Sequence, residues 1–346
     1  MPKNLIFLSD GTWDRPTVAA SGNSNVVLLR DRLVNDATQV VAYDDGVGAT
    51  GNIVERLIEG AFGDGLFQKV KDGYSFFVKN YAVGDPIYVF GFSRGAYTAR
   101  SIAGMVAVCG LPTQNIAAFD VNQAWAAYRQ RDPAKRQAAL DALNAQYAMD
   151  NAQITMVGVW DTVGSLGIPA LFGGVDAFKD GFLDVNLHPD VHNAYQALAV
   201  DEARREFPAT LWNPDIAPHQ TLVQVWFAGV HTNVGGGEVK GFLSTIPLVW
   251  MMRAASRCGA VLTPAAQTQL TESLSPWIYD VITPADLIPW GLPVPRTIPA
   301  DATVADSVKI RLLNDPTYKP SQFTPSSKLD GHPIEAVVEI AAAAGN

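Results

Sequence analysis

Five runs of consecutive apolar residues, rich in β-branched side chains and each closed by a turn signal, stand out along the chain. They are NLIFLSDG (4–11), QVVAYDDG (39–46), PIYVFGFS (86–93), QITMVGVWD (153–161) and TLVQVWFAGVH (221–231). Runs of this length without polar alternation predict strands covered on both faces. Between them the apolar positions recur at three- and four-residue steps. Ile53, Leu57, Ile58, Ala61, Phe62, Leu66, Val70, Tyr74, Phe77, Val78 and Tyr81 predict a helix that Gly63 and Gly65 split. Ala96–Val106 predicts a second helix, and Pro133–Met149 a third, more polar one. Strands alternating with helices predict a mostly parallel α/β sheet with helices on both faces, whose ligands bind at the carboxyl ends of the strands.

The pattern changes after residue 260. SPWIYDVITPADLIPWGLPVPRTIPADATV packs prolines among Trp277, Trp290, Ile and Leu, which predicts an irregular apolar cover rather than a linker. Residues 1–260 are therefore read as the α/β core, and 261–346 as a C-terminal extension packed on it in one compact domain. A second apolar, loop-like stretch runs from 165 to 190. Two readings of the segments 165–190 and 270–300 stay open: a lid shaping a ligand pocket, or permanent packing.

Charge and composition narrow the class. With 25 Lys+Arg against 34 Asp+Glu the net charge is −9, and no basic run appears, so a nucleic-acid partner is not expected. Cys109 and Cys258 sit in apolar surroundings without metal or redox spacing and read as buried thiols. The five histidines are scattered, which argues against a zinc site and leaves one built from oxygen ligands open; no metal site is assigned and no cofactor is expected. The start, MPKNLIFLSDGTW, lacks the apolar core of a signal peptide, and no run reaches the ~18 apolar residues of a membrane helix. The expectation is a soluble, cytoplasmic chain, with export by a dedicated secretion system left open and the oligomeric state unassigned.

Gly91-Phe92-Ser93-Arg94-Gly95 lies between a predicted strand and a predicted helix. In that context G-x-S-x-G is a nucleophile elbow: the tight turn exposes the serine Oγ, and the glycines avoid collisions with neighbouring backbone. A serine nucleophile needs a base and an orienting acid. Asp161 and His231 close the fourth and fifth predicted strands, in the order Ser, acid, His, and form the expected catalytic triad with Ser93. Asp184, Asp190 and Asp201 are alternative acids, whereas His188, His192, His219 and His332 lie in loops, before a strand or near the end. For the oxyanion hole, the Arg94 N–H is the first donor, and Gly11 or Thr12, in the turn after the first strand, the second. The Arg94 side chain, a cation at a helix N-terminus, calls for a carboxylate partner among Asp10, Asp44 and Asp45. SDGT at 9–12 also suggests the aspartate-nucleophile phosphatases, but their first aspartate position holds Leu8 here. Neither GVGATGN (46–52) nor VGGG (234–237) carries the Lys-Ser/Thr of a P-loop.

Taken together, SDGTW (9–13), GNSNV (22–26), YDDGVGAT (43–50), GAFGDGL (60–66), NYAVGDPIYVFGFSRGAYTAR (80–100), GVWDTVGSLG (158–167), ALAVDEARREFPATLW (197–212) and VWFAGVHTNVGGG (225–237) resemble, in order, the uncharacterised α/β-hydrolase domain family that includes type VI secretion phospholipase effectors. The resemblance implies an α/β-hydrolase fold and a serine esterase or lipase, with some relatives cleaving phospholipid acyl esters at a membrane interface. It implies Ser93 as nucleophile, Asp161 as acid and His231 as base. One departure falls beside the base: relatives read His-x-Asp-Val-Gly-Gly-Gly, where this chain has Asn233, which supplies no charge. An esterase or thioesterase for small soluble acyl substrates, or a non-catalytic module on the same fold, are the other readings.

Overall fold

In a computed structural model the chain is described over residues 2–11, 22–45, 62–163, 185–205, 207–238, 242–282 and 292–338. Ten strands are described: β1 (Asn4–Ser9), β2 (Gln39–Asp44), β3 (Ile87–Phe92), β4 (Leu111–Pro112), β5 (Met149–Asp150), β6 (Ile154–Trp160), β7 (Val191–Ala199), β8 (Thr221–Phe227), β9 (Thr303–Ala305) and β10 (Ile334–Glu335). The described helices are α1 (Asn25–Arg30), α2 (Phe62–Asn80), α3 (Arg94–Cys109), α4 (Val121–Arg129), α5 (Pro133–Tyr147), α6 (His231–Gly235), α7 (Thr245–Arg257), α8 (Pro264–Gln269) and α9 (Asp306–Asn314). Eight strands form one sheet in the order β10-β9-β8-β7-β6-β3-β1-β2, and every described pairing within it is parallel. β4 and β5 make a separate antiparallel ribbon.

The apolar runs are continuous because the sheet is buried on both faces. Successive side chains of a strand alternate between faces, and here they feed two cores. Leu5, Phe7, Ile87, Val89, Val157 and Val159 pack with Val70, Tyr74 and Phe77 of α2 and Ala99, Ile102 and Val106 of α3. Ile6, Leu8, Tyr88, Phe90, Met156 and Trp160 pack with Val26 and Leu29 of α1 and with Leu248, Met251 and Met252 of α7. Each fully buried side chain of this kind contributes about 1.5–3 kcal/mol, so a one-residue slip in register would cost several such terms in every strand.

Several expectations change. α2 is continuous from Phe62 to Asn80 through Gly63 and Gly65. β7 escaped the pattern because VHNAYQALA interleaves polar residues with the apolar ones, and it places His192 on a strand rather than in a loop. The C-terminal extension is more than a cover. β9 and β10 extend the sheet beyond β8, α9 follows β9, and Val337 and Val338 are buried in the same core as α7. The predicted helical turns at 53–61 and the segments 165–184 and 283–291 lie outside the described residues.

Candidate active site

β1, β3, β6, β7 and β8 are adjacent in the sheet and parallel, so the residues following them share one edge. That edge brings together Asp10, Ser93, Asp161, Glu202 and His231, all of them buried.

Ser93 joins β3 to α3 at φ 58° and ψ −120°, a left-handed conformation that costs a non-glycine residue of order 1–3 kcal/mol. It is held by its N–H donating to Trp160 O at 3.0 Å. The glycines on either side answer to close backbone approach. A Cβ on Gly91 would lie 2.2 Å from Gly95 O, and one on Gly95 would lie 2.1 Å from Ser9 O. The helix can therefore start against β1 only if both positions lack a side chain.

His231 opens α6 directly after β8. Its Nε2 is 2.8 Å from Ser93 Oγ and its Nδ1 is 2.6 Å from Asp161 Oδ2. The ring packs against Phe92 and Phe207, with centroid separations of 4.6 and 5.2 Å. Burial lowers the proton affinity of His231, and the Asp161 carboxylate opposes that only in part. Asp161 is fully buried, which by itself would raise its pKa. The charge of Arg296 and the hydrogen bonds from His231 and Arg296 outweigh burial and hold it well below the usual carboxylate range. An ionised carboxylate only accepts, so the His231 proton sits on Nδ1 and Nε2 is left to accept from the Ser93 hydroxyl.

Asp161 adopts φ 40° and accepts from Ala199 N–H at 3.0 Å as well as from His231. The alternative acids sit elsewhere. Asp201 accepts from Gly229 N–H and Tyr318 O–H, Asp190 pairs with Gln153 and His188 at the start of β7, and Asp184 is outside the described residues. Asn233 accepts the Val230 N–H at 3.1 Å with its Oδ1, closing the first turn of α6, so its side chain braces the helix that carries His231.

The residues expected to supply the oxyanion donors come out differently from one another. Arg94 N–H stands at the first position of α3, next to Ser93. Gly11 also lies beside Ser93, since a Cβ on it would be 3.4 Å from Ser93 Cβ, but its N–H donates to Asp10 Oδ1 at 2.8 Å. Thr12 lies outside the described residues. The carboxylates expected to pair with Arg94, namely Asp10, Asp44 and Asp45, have partners of their own. Asp10 accepts from Ser24 and Tyr43 in addition to Gly11, and Asp44 and Asp45 face Lys69. Burial brings the Arg94 pKa down to about 10.

Two arginine–carboxylate pairs at this edge were not foreseen. Arg204 grips Glu202 through Nε and Nη2 at 2.9 and 2.8 Å, and Glu202 Oε2 accepts the His231 backbone N–H at 3.2 Å. Arg296 grips Asp161 itself, with Nη1–Oδ1 at 2.6 Å and Nη2–Oδ2 at 2.9 Å. The sequence did hold a signal for Arg296: it is the one cation between Arg257 and Lys309, in an apolar, proline-rich stretch. No cluster of three or more metal-ligating side chains occurs among the described residues. No described helix is long and apolar enough to cross a membrane.

A parallel sheet covered on both faces, with a strained serine between β3 and α3 bonded to a histidine after β8, defines the α/β-hydrolase class of architecture. Within that class, the family model for the catalytic domain of Tle1-like phospholipase effectors of the type VI secretion system matches residues 3–254, and the chain belongs to that family. It is similar to an uncharacterized protein of Saccharomyces cerevisiae, 28% identical in an alignment of 236 residues that covers 61% of this chain and 33% of the yeast protein. Among solved structures it is similar to an uncharacterized protein from Pseudomonas aeruginosa, with a TM-score of 0.47 and 16% identity over 78% of this chain and 49% of that one. It is also similar to the Tle1 effector bound to the VgrG spike, with a TM-score of 0.40 and 20% identity over 69% of this chain and 52% of that one. The chain thus spans a third of the yeast relative and about half of each of these structures.

Proposed function

We propose that the protein is a serine hydrolase that cleaves carboxylic esters of lipids by two-step acyl transfer. The observation that carries this reading is the continuous hydrogen-bonded chain Ser93–His231–Asp161, at 2.8 and 2.6 Å, starting from a strained elbow. His231 Nε2 takes the Ser93 hydroxyl proton as Oγ bonds to the ester carbonyl carbon. The carbonyl oxygen becomes an oxyanion facing the Arg94 N–H, and the alcohol leaves with the proton held by His231. Water then attacks the acyl-serine, giving its proton to His231, and the acid is released as Ser93 regains a proton. Gly11 N–H would join the oxyanion hole only on leaving the Asp10 carboxylate.

The lipid part of the proposal is supported by family membership and by the surface. Phe242, Tyr279, Val281, Leu292 and Val294 are exposed apolar side chains. The segment carrying Val294 is tied to the catalytic edge by its N–H donating to Ala203 O at 2.8 Å. Such residues suit contact with a membrane interface. The described part of the segment 270–300 is fastened to that edge, which favours permanent packing over a lid there. We read residues 1–260 as the catalytic core and 261–346 as part of the same unit.

A panel of esters graded in acyl length and headgroup, offered as monomers and as micelles, tests the reading with wild type and Ser93→Ala. Wild type should hydrolyse long-chain lipid esters and be labelled by a fluorophosphonate, and Ser93→Ala should lose both. Hydrolysis that survives Ser93→Ala would sink the mechanism, and a preference for short soluble esters without interfacial gain would sink the lipid assignment.

A further inference from the structure

We propose that Arg296, which lies beyond the family-matched segment, is a positioning residue for the reaction: its guanidinium fork fixes the Asp161 carboxylate against His231 and offsets its charge. The inference rests on the serine-hydrolase reading above.

The fork is fully committed. Of the five guanidinium N–H groups, the two on Nη1 serve Asp161 Oδ1 (2.6 Å) and Ala199 O (3.1 Å). Those on Nη2 serve Asp161 Oδ2 (2.9 Å) and Phe207 O (2.7 Å), and Nε–H also serves Phe207 O (3.0 Å). The carboxylate is equally committed. A carboxylate offers about four acceptor sites, and those of Asp161 take Arg296 twice, His231 Nδ1 and Ala199 N–H. The Arg296 side chain is 4% exposed and that of Asp161 is fully buried, so solvent screens the pair little. The segment bearing Arg296 is itself fastened, since Gln322 Nε2 donates to Arg296 O at 3.2 Å and to Val200 O at 3.1 Å. Asp161 holds a left-handed backbone that its surroundings must enforce, and Arg296 links it to the chain after β7 and to the C-terminal segment at once.

The charge balance has a consequence for the base. The groups facing His231 among the described residues are Ser93 from the β3–α3 turn, Asp161 after β6, and Glu202 and Arg204 after β7, with Arg296 acting through Asp161. Both carboxylates carry their own guanidinium. An acid already offset by a cation attracts the imidazolium proton less than a lone one would. His231 therefore stays neutral, and able to accept the Ser93 proton, to lower pH than it would beside an unpaired aspartate. A purely structural brace would not set that pH.

The test compares full-length wild type, Arg296→Met and Arg296→Lys in kcat and KM for a soluble ester across pH, with the pH dependence of fluorophosphonate labelling as a second readout. Folding is checked by circular dichroism. Arg296→Met should move the acid limb of kcat/KM upward by about one pH unit. It should also lower the plateau kcat roughly 10- to 100-fold with KM little changed, because the acid is no longer fixed. Arg296→Lys keeps the charge but not the five-donor fork, so it should restore the acid limb to near wild type while recovering kcat only in part. An acid limb that stays in place in folded Arg296→Met would overturn the proposal. If Arg296→Met does not fold, Arg296→Lys decides alone: wild-type kcat in that variant refutes the positioning role, and reduced kcat with an unmoved acid limb supports it. A wild type that a fluorophosphonate does not label would instead refute the underlying hydrolase reading.

Discussion

Replacing Gly95 by alanine probes the contact on which the elbow depends. The added Cβ would sit 2.1 Å from Ser9 O and 2.6 Å from Asp10 O, about 1.3 Å inside the 3.4 Å at which ordinary contact begins. Both atoms are backbone carbonyl oxygens, one at the end of β1 and one just after it, so no rotamer change relieves the clash and the helix must move off the sheet. Overpacking of this kind costs about 3 kcal/mol, at the high end for added methyl groups. The same displacement, of order 1 Å, separates Ser93 from His231, which corresponds to a loss of about 100-fold in turnover. Gly73→Ala is the matched control. Its Cβ would meet Ile102 Cδ1 at 2.3 Å, Ile102 Cγ1 at 3.0 Å and Phe7 Cε1 at 3.1 Å, all side-chain rather than backbone atoms, and alanine is better in a helix interior than glycine by about 1 kcal/mol. Urea unfolding followed by circular dichroism gives the stabilities, and ester turnover per fluorophosphonate-labelled serine gives the rates. Gly73→Ala should stay within about 1 kcal/mol of wild type. If Gly95→Ala unfolded within about 0.5 kcal/mol of wild type and turned over normally, the steric account of the elbow would be wrong.

Two further outcomes follow from the buried titratable groups. Burial lowers the proton affinity of His231, so between its native pKa and the ordinary imidazole value of about 6.5 the unfolded chain binds a proton that the folded chain does not. Stability should therefore fall as pH drops below about 6.5, and His231→Gln should remove that part of the decline. Asp161, held low by Arg296, adds a second loss of the same sign beginning near pH ~3.9. Unfolding measured from pH 8 downward checks this, and parallel wild-type and His231→Gln profiles between about pH 6.5 and 5 would contradict it. Cys109 is buried, its thiol is pushed up to about 12, and its Sγ lies 3.4 Å from Ala124 O. In a Cys258→Ser background, a disulfide reagent should titrate Cys109 only after denaturation, and rapid reaction in the native state would show the site to be open.

Legibility in the sequence followed how local each signal was. The strands β1, β2, β3, β6 and β8 were readable because burial on both faces demands continuous apolar runs of the right length. β7 was not, because VHNAYQALA mixes Asn193 and Gln196 into the run. Asn193 Nδ2 donates to Thr155 O and Gln196 Nε2 to Thr210 O, so carbonyls outside the strand satisfy the donor ends of those amides. β9 and β10, of three and two residues, are too short for any period to show. Ser93, Asp161 and His231 could be named because each closes a strand of a parallel sheet, so their chain positions already imply a shared edge.

The amino-acid sequence by itself determined the alternation of strands and helices, the glycine-flanked serine and the side chains offered at the sheet's carboxyl edge, since these depend on neighbours a few residues apart. Only the tertiary structure decided which groups meet. Ser93 and His231 are 138 residues apart, His231 and Asp161 are 70 apart, and Arg296 reaches Asp161 across 135. It also decided that the Gly11 amide serves Asp10 and that the acids named for Arg94 serve Ser24, Tyr43 and Lys69. A buried charge must find a partner wherever the packed chain brings one, and nothing local records which residue that is.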